Sequence, residues 1–201
     1  MIFREKTSEF YFFAYGSTMN QEQILARGVK PVVVGIARLP HHRIAFYGYS
    51  RTWDGAMETV VPASGQEVWG VIYELTLTDW DRLDASQDVR LDGTGTYFHF
   101  PDWVTDTEGR SHAVLLYKKD ILREPLPPSR EYLEVIIQGA LKRGLPSWYV
   151  EELRRLDSRP ADFKVPREGK LGPDLQLENS CSGCDDLLFR NSCNSSKNPA
   201  D

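Results

Sequence analysis

Strand signals are dense in the first 120 residues. Residues 10–14 form an aromatic run, residues 32–39 are apolar and β-branched, and 43–47, 57–61 and 112–117 are further candidates. The clearest strand is 67–77. There Trp69, Val71, Tyr73 and Leu75 share one face, and Val68, Gly70 and Ile72 share the other. Both faces are mostly apolar, which predicts a central strand.

Helical spacing is confined to shorter, punctuated segments. Asn20 is placed to cap a helix running to Ala26, with Gln23 at its third position and Gly28 just past its end. Thr78 is expected to cap a second helix, with Asp79 and Asp81 in the first turn, where the helix dipole favours acids. Ser129 follows Pro127 and Pro128 and predicts a helix to Arg143, which Gly144 ends. Leu133, Ile136, Ile137, Ala140 and Leu141 form its apolar stripe. Ser147 is expected to cap a last helix reaching Leu156. Many strands with few, mostly late helices predict an α+β fold with a curved sheet or barrel.

The pattern fades near Asp157. Downstream, Pro, Gly, Ser, Asn and charged residues dominate. The expectation is one domain over 1–157 and a polar, flexible C-terminal tail over 158–201. The 201 residues suffice for one domain of roughly 150 residues plus extra segments. Lys and Arg total 24 against 29 Asp and Glu, a formal net charge of −5, and no basic run stands out, so a nucleic-acid partner is not expected. No apolar stretch approaches the roughly 18 residues of a membrane span. The first 16 residues carry charges where a signal peptide needs its apolar region. A cytoplasmic protein without a membrane partner is expected.

Common catalytic constellations are absent: there is no GxGxxG, P-loop, HExxH or GxSxG. Cys181, Cys184 and Cys193 all fall in the tail. Cys181 and Cys184 have CxxC spacing but lack a four-ligand zinc set, so no metal is expected. His41, His42, His99 and His112 are expected to be structural or on the surface.

The distinctive feature is the run from Phe13 to Asn20, FAYGSTMN, where a strand enters a Gly-Ser turn and then a helix. Such a turn presents successive backbone N–H groups, a geometry suited to an anion or a developing oxyanion. Gly16 allows close approach.

Here the chain resembles the gamma-glutamylcyclotransferase-like family, which includes the AIG2-like proteins. FAYGSTM is similar to that family's FxYGSNxM loop, with Thr18 where Asn is usual. Residues 67–73, EVWGVIY, resemble its EVWGVVW strand. Leu83, Asp84, Val89, Gly95, Thr96 and Tyr97 follow its LDxxEGV…GxY pattern, and residues 127–149 its late helical section. The blocks keep their order over residues 9–156.

The resemblance implies a mixed β-barrel with a few short helices, and a cofactor-free acyltransferase acting as monomer or homodimer on a small γ-glutamyl substrate. The substrate's own α-amine attacks its γ-carbonyl, giving 5-oxoproline and a free amine or amino acid. Attack within one molecule needs neither a protein nucleophile nor a metal. It does need a group that moves protons, a task suited to a carboxylate. The resemblance places that group in LDxxE, which here falls on Gln87. An amide cannot relay a proton at neutral pH. Gln87 is therefore read first as a Glu-to-Gln replacement that leaves the chain inactive. The alternatives are a non-catalytic homologue that keeps the pocket for binding a γ-glutamyl ligand, and a different carboxylate that has taken over.

For that last case Glu58 is the candidate. Residues 55–60, GAMETV, resemble the family's GGIATI strand, with Glu58 where a small residue is usual. Glu58 could read the substrate amine or act as a displaced base, or it could simply face outward from its strand. The resemblance further implies that the backbone of Tyr15, Gly16, Ser17, Thr18 and Met19 binds the substrate α-carboxylate and polarises its carbonyl. Tyr97, Tyr132 and Tyr149 are candidates for the pocket wall. Trp53, Asp54 and Gly55 are a candidate border to the leaving-group side, or an exposed turn. Asp84 is expected to stabilise its local helix and Asp88 to be solvated. Two rival readings are an acyl transfer through Ser17 as nucleophile, which would need a base, and an interaction protein working through the cysteine-bearing tail.

Overall fold

In a computed structural model, residues 11–120, 122 and 124–166 are described. Strand β3, Gly55–Glu74, carries the sheet. It pairs antiparallel with β1, Tyr11–Ala14, on one side and with β2, Val32–Ser50, on the other. Strands β4, Phe98–Asp106, and β5, Ser111–Lys118, complete a closed barrel in the order β1-β3-β2-β4-β5. The closing pair, β1 with β5, is parallel and every other pair is antiparallel. The fold is thus the mixed α+β barrel expected.

Two of the sequence strands merge into β2 and two into β3. The polar stretches that separate them lie opposite each other in one ladder, with His42 facing Pro62 and Pro40 facing Glu67. A register shift between Pro40 and His42, with His41 at φ 57°, absorbs the irregularity as a bulge in place of a turn. As expected, β3 is central. The pattern did not predict β4, because its Phe98 and Phe100 are only partly buried and Pro101 interrupts them.

Helix α1, Gln21–Ala26, is capped by Asn20, whose side chain accepts the N–H groups of Glu22 and Gln23 at 3.0 and 3.4 Å. Helix α2, Leu77–Ser86, is capped by Thr76 and not by Thr78. The Thr76 hydroxyl accepts the Asp79 N–H at 3.1 Å and the Thr76 N–H donates to the Asp79 carboxylate at 3.4 Å, a reciprocal box closed by Asp in place of the usual Glu. Helix α3, Arg130–Arg143, begins where Ser129 accepts the Tyr132 N–H at 3.3 Å and ends at Gly144 with φ 76°. Helix α4, Ser147–Arg154, takes Pro146 as its cap, so Ser147 falls inside the first turn and the helix stops short of Leu156. The core joins Phe12, Phe13, Val71 and Ile72 of the barrel to Leu133, Ile136 and Ile137 of α3. Among the described residues, no helix is long and apolar enough to cross a membrane.

Residues 158–166, expected to lie in the tail, belong to the fold. The Arg159 N–H donates to the Pro128 carbonyl at 3.1 Å, and its own carbonyl accepts the Arg130 N–H at 2.7 Å. Its guanidinium binds Asp54 Oδ1 at 3.0 Å, and the Asp162 N–H donates to Asp54 Oδ2 at 2.6 Å. This strap fixes the start of α3. The boundary at 157 is therefore too early, since a polar segment can be held by backbone and charge-assisted bonds without an apolar pattern. Cys181, Cys184 and Cys193 lie outside the described residues.

The Tyr49 hydroxyl, the Asp162 N–H and Arg159 hold the Asp54 carboxyl below the usual carboxylate range. A depressed folded-state value contributes stability above the unfolded value of about 3.9 and loses it as pH falls through the folded one. Asp54→Asn is therefore expected to lower Tm at pH 7, with the gap to the parent closing in thermal melts as pH falls below the usual carboxylate range.

Candidate active site

Strand β1 delivers the chain into Tyr15 and Gly16, and Ser17–Met19 close a 3₁₀ turn with the Met19 N–H donating to the Gly16 carbonyl at 3.0 Å. The turn is held from two sides. The Tyr73 hydroxyl donates to the Thr18 and Met19 carbonyls at 3.4 Å, and Arg143 Nε donates to the Met19 carbonyl at 3.1 Å. With its carbonyls tied to β3 and α3, the turn directs the Ser17 N–H at Glu58, whose Oε1 accepts it at 2.9 Å.

Glu58 is 6% exposed. Ala56, Glu58 and Val60 share one face of β3 by the two-residue period, and Ala56 and Val60 are completely buried. The side chain therefore points into the barrel and is not outward-facing. Its second oxygen, Oε2, accepts a short hydrogen bond from the Tyr132 hydroxyl. The Tyr97 hydroxyl donates to the Glu58 backbone carbonyl at 2.7 Å.

Gln87 ends α2, its N–H donating to the Leu83 carbonyl at 2.9 Å, and the residue is 8% exposed. Tyr15, Gly16, Thr18, Glu58, Gln87 and Tyr97 line one cavity, joined by Phe12, Phe13 and Tyr117. Its free volume is about 10 Å³, room for roughly one water. Among these lining residues Glu58 is the only carboxylate. Ser17 and Tyr132 reach the site through their bonds to Glu58, and Met19 through the tied carbonyl of the turn. Tyr149 does not join them. It lines a larger cleft of about 580 Å³ together with Arg43, Glu67, Trp148 and Glu152. That cleft holds no residue of the Gly16–Ser17 turn. The smaller cavity combines a buried carboxylate with directed backbone donors, which makes it the candidate site.

Burial, and then the charge of Glu58, push the phenols of Tyr15, Tyr97 and Tyr132 well above their ordinary range. All three remain protonated donors at neutral pH. Two cations lie within the field of Glu58. Lys119 is 7% exposed, with Nζ 4.7 Å from the centre of the Tyr97 ring, and burial pulls its ammonium down to about 8 against the opposing pull of Glu58. Burial also lowers Arg27, opposed by Tyr132, Glu58 and Tyr97.

The flanking acids are busier than expected. Asp84 is in hydrogen-bond contact with His99 Nε2 at 2.7 Å and accepts the Tyr117 hydroxyl at 2.6 Å. Asp88, at φ 51°, accepts the N–H and hydroxyl of Thr96 at 3.2 and 2.9 Å and binds Arg90, closing the loop after α2. Trp53 is buried and its ring lies 4.7 Å from that of Tyr132, so residues 53–55 support the site wall and are not an exposed turn. No histidine lines the cavity, which leaves Ser17 without the base that commonly activates a hydroxyl nucleophile.

Sequence reasoning did not name Tyr117, Lys119 or Arg27. Tyr117 and Lys119 share a face by strand alternation, which could have linked them. Nothing local distinguishes Lys119 from its neighbour Lys118, or Arg27 from any arginine ending a surface helix.

Residues 67–153 match the AIG2-like family. Gamma-glutamylcyclotransferases of Bos taurus and Mus musculus are 31% and 30% identical to the chain over 171 residues, which cover 83% of it and 86% of each relative. A solved gamma-glutamyl cyclotransferase superposes with a TM-score of 0.72 at 31% identity, covering 79% of this chain and 94% of that one.

The turn leaves no room for a side chain at position 16. A Cβ added to Gly16 would sit 1.9 Å from Glu58 Oε1. Gly16→Ala is expected to destabilise the protein by about 1–3 kcal/mol in urea unfolding and to speed hydrogen exchange of the Ser17 amide as its carboxylate acceptor is pushed away.

Proposed function

The chain belongs to the gamma-glutamylcyclotransferase family, and from that membership we propose that it cleaves γ-glutamyl amides by internal cyclisation. The α-amine of the glutamyl group attacks its own γ-carbonyl, giving 5-oxoproline and a free amine or amino acid. One observation carries this reading: the Ser17 N–H holds a carboxylate oxygen at 2.9 Å inside a cavity lined by Gln87. A turn that binds a carboxylate of the protein has the geometry to bind one of a substrate, or the oxyanion formed as the carbonyl is attacked.

In this reading the backbone of Tyr15, Gly16, Ser17, Thr18 and Met19 receives the α-carboxylate and polarises the carbonyl. Tyr97 and Tyr132, kept protonated by burial and by Glu58, offer donors at the cavity wall. Holding amine and carbonyl of one molecule in a compact conformer supplies the proximity that a bimolecular reaction lacks. Gln87 can hydrogen-bond the substrate amide but cannot carry its proton. That amide is also the specific observation behind a second reading, in which the cavity binds a γ-glutamyl ligand without turning it over.

The test is 5-oxoproline release from a panel of γ-glutamyl amino acids and γ-glutamyl amines, run on the chain and on Gln87→Glu. Release by either protein is the expected outcome, and the best substrate then identifies the leaving group. No release by either, with saturable ligand binding in calorimetry, would favour the binding module. Neither release nor binding would overturn both readings.

A further inference from the structure

We propose that Glu58 is the acid/base group of this site, a carboxylate on β3 doing the proton transfer that the Gln87 amide cannot do. The proposal rests on the cyclotransferase reading above and adds the residue that makes it work in this chain.

The proton count sets the requirement. The α-nitrogen enters as an ammonium and leaves as a lactam N–H, so it gives up two protons. The leaving nitrogen enters as an amide N–H and leaves as an ammonium, so it gains two. One C–N bond forms as the other breaks, and no water, oxidant or further reactant is consumed. A single group that can reach both nitrogens, and be alternately base and acid, satisfies the balance.

Few groups at the cavity qualify. The tyrosine phenols are held protonated, and Lys119 and Arg27, though within the field of Glu58, do not line the cavity. Asp84 is occupied by Tyr117 and His99 and does not line the cavity. Glu58 lines it directly and is held from two sides, by Ser17 and Tyr132.

The free space, about 10 Å³, is far too small for a glutamyl group while Glu58 sits on the Ser17 amide. Substrate entry therefore exchanges one anion for another. The substrate anion takes the Ser17 N–H, and the Glu58 carboxylate swings off to meet the α-ammonium. It accepts one proton there, the freed amine attacks the γ-carbonyl, and the protonated Glu58 delivers that proton to the leaving nitrogen. The second proton follows the same route as the C–N bond to the leaving group breaks.

The experiment compares four proteins: the chain itself, E58Q, Q87E and the E58Q/Q87E double variant. Each is assayed for 5-oxoproline release from γ-glutamyl-alanine and γ-glutamyl-n-butylamine, with kcat and KM separated and kcat followed from pH 5 to 9. The unchanged chain is expected to turn over. E58Q, which can keep the Ser17 bond through its amide oxygen, is expected to lose kcat by about 100-fold or more and to change KM far less. The limb at high pH, where Lys119 titrates, stays. The double variant, with its carboxylate returned to the end of α2, is expected to recover kcat. Q87E alone is expected to gain little, because two carboxylates in one cavity oppose each other's ionisation.

Turnover by the chain that survives E58Q overturns the role of Glu58 and leaves the reaction class standing. An inactive chain with an active Q87E also overturns it, assigning proton transfer to position 87. Inactivity of all four proteins removes this proposal and the cyclotransferase reading together. Should E58Q fail to fold in a thermal melt, E58D decides: a reduced kcat with KM little changed supports the proposal, and an unchanged kcat overturns it.

Discussion

A carboxylate buried inside the barrel is the constraint around which the rest of the site is arranged. Glu58, 6% exposed, carries a charge that a protein interior tolerates only with directed donors. One donor is the Ser17 N–H, which requires Gly16 beside it to be free of a side chain. The other is the Tyr132 hydroxyl, which requires α3 to begin where it does. Ser129 sets that beginning by capping the Tyr132 N–H, and the ring of Trp53 packs on Tyr132. Below them the Arg159 strap bonds the backbone on both sides of Ser129 and the Asp54 carboxylate. A polar segment near residue 160 is thus linked by contact to the buried Glu58 carboxylate.

The charges around that site favour an anionic ligand. Two buried cations, Arg27 and Lys119, stand in the field of one carboxylate. With Lys119 brought down only to about 8, most of its charge is retained at neutral pH. The surplus positive charge suits a ligand that brings a carboxylate of its own, as every γ-glutamyl compound does. It also bears on position 87. A neutral amide there keeps the count at one carboxylate, whereas an acid at both 58 and 87 would set like charges against each other in a small, dry space.

Much of this was legible in the sequence, and the exceptions have physical causes. The caps Asn20 and Ser129 and the terminator Gly144 acted as their chemistry predicts, because each bond is local. Thr76 was missed in favour of Thr78 because the reciprocal partner is Asp79, shorter than the usual Glu. The strands around 40 and 62 read as breaks, because their polar residues face each other across a ladder that spacing along one strand cannot reveal. At the site, the turn from Tyr15 to Met19 and the positions of Gln87, Tyr97 and Tyr132 were reachable from local motif. The direction in which Glu58 points was not. A lone glutamate on a strand is outward by default, and only the ladder with β2 and the donors from Ser17 and Tyr132 turn it inward. Tyr149, chosen by the same kind of reasoning as Tyr132, lines another cleft altogether.

The two parts of the site differ in how far they can move. In the proposed cyclisation, nucleophile and electrophile arrive in one molecule, so the protein owes the reaction a fixed anion cradle and a proton relay. The cradle is backbone: its N–H directions follow from the path of one turn, and that path is held by Tyr73, Arg143 and the empty space at Gly16. It cannot be transferred to another element without rebuilding the barrel entrance. A relay is a carboxylate on a side chain with rotatable bonds, and it need only reach two nitrogens already held close together. β3 and the end of α2 line the same cavity, so either can present that carboxylate to the same pair of atoms. In the proposed mechanism the position for proton transfer can therefore change from one element to another while the fold and the turn stay in place.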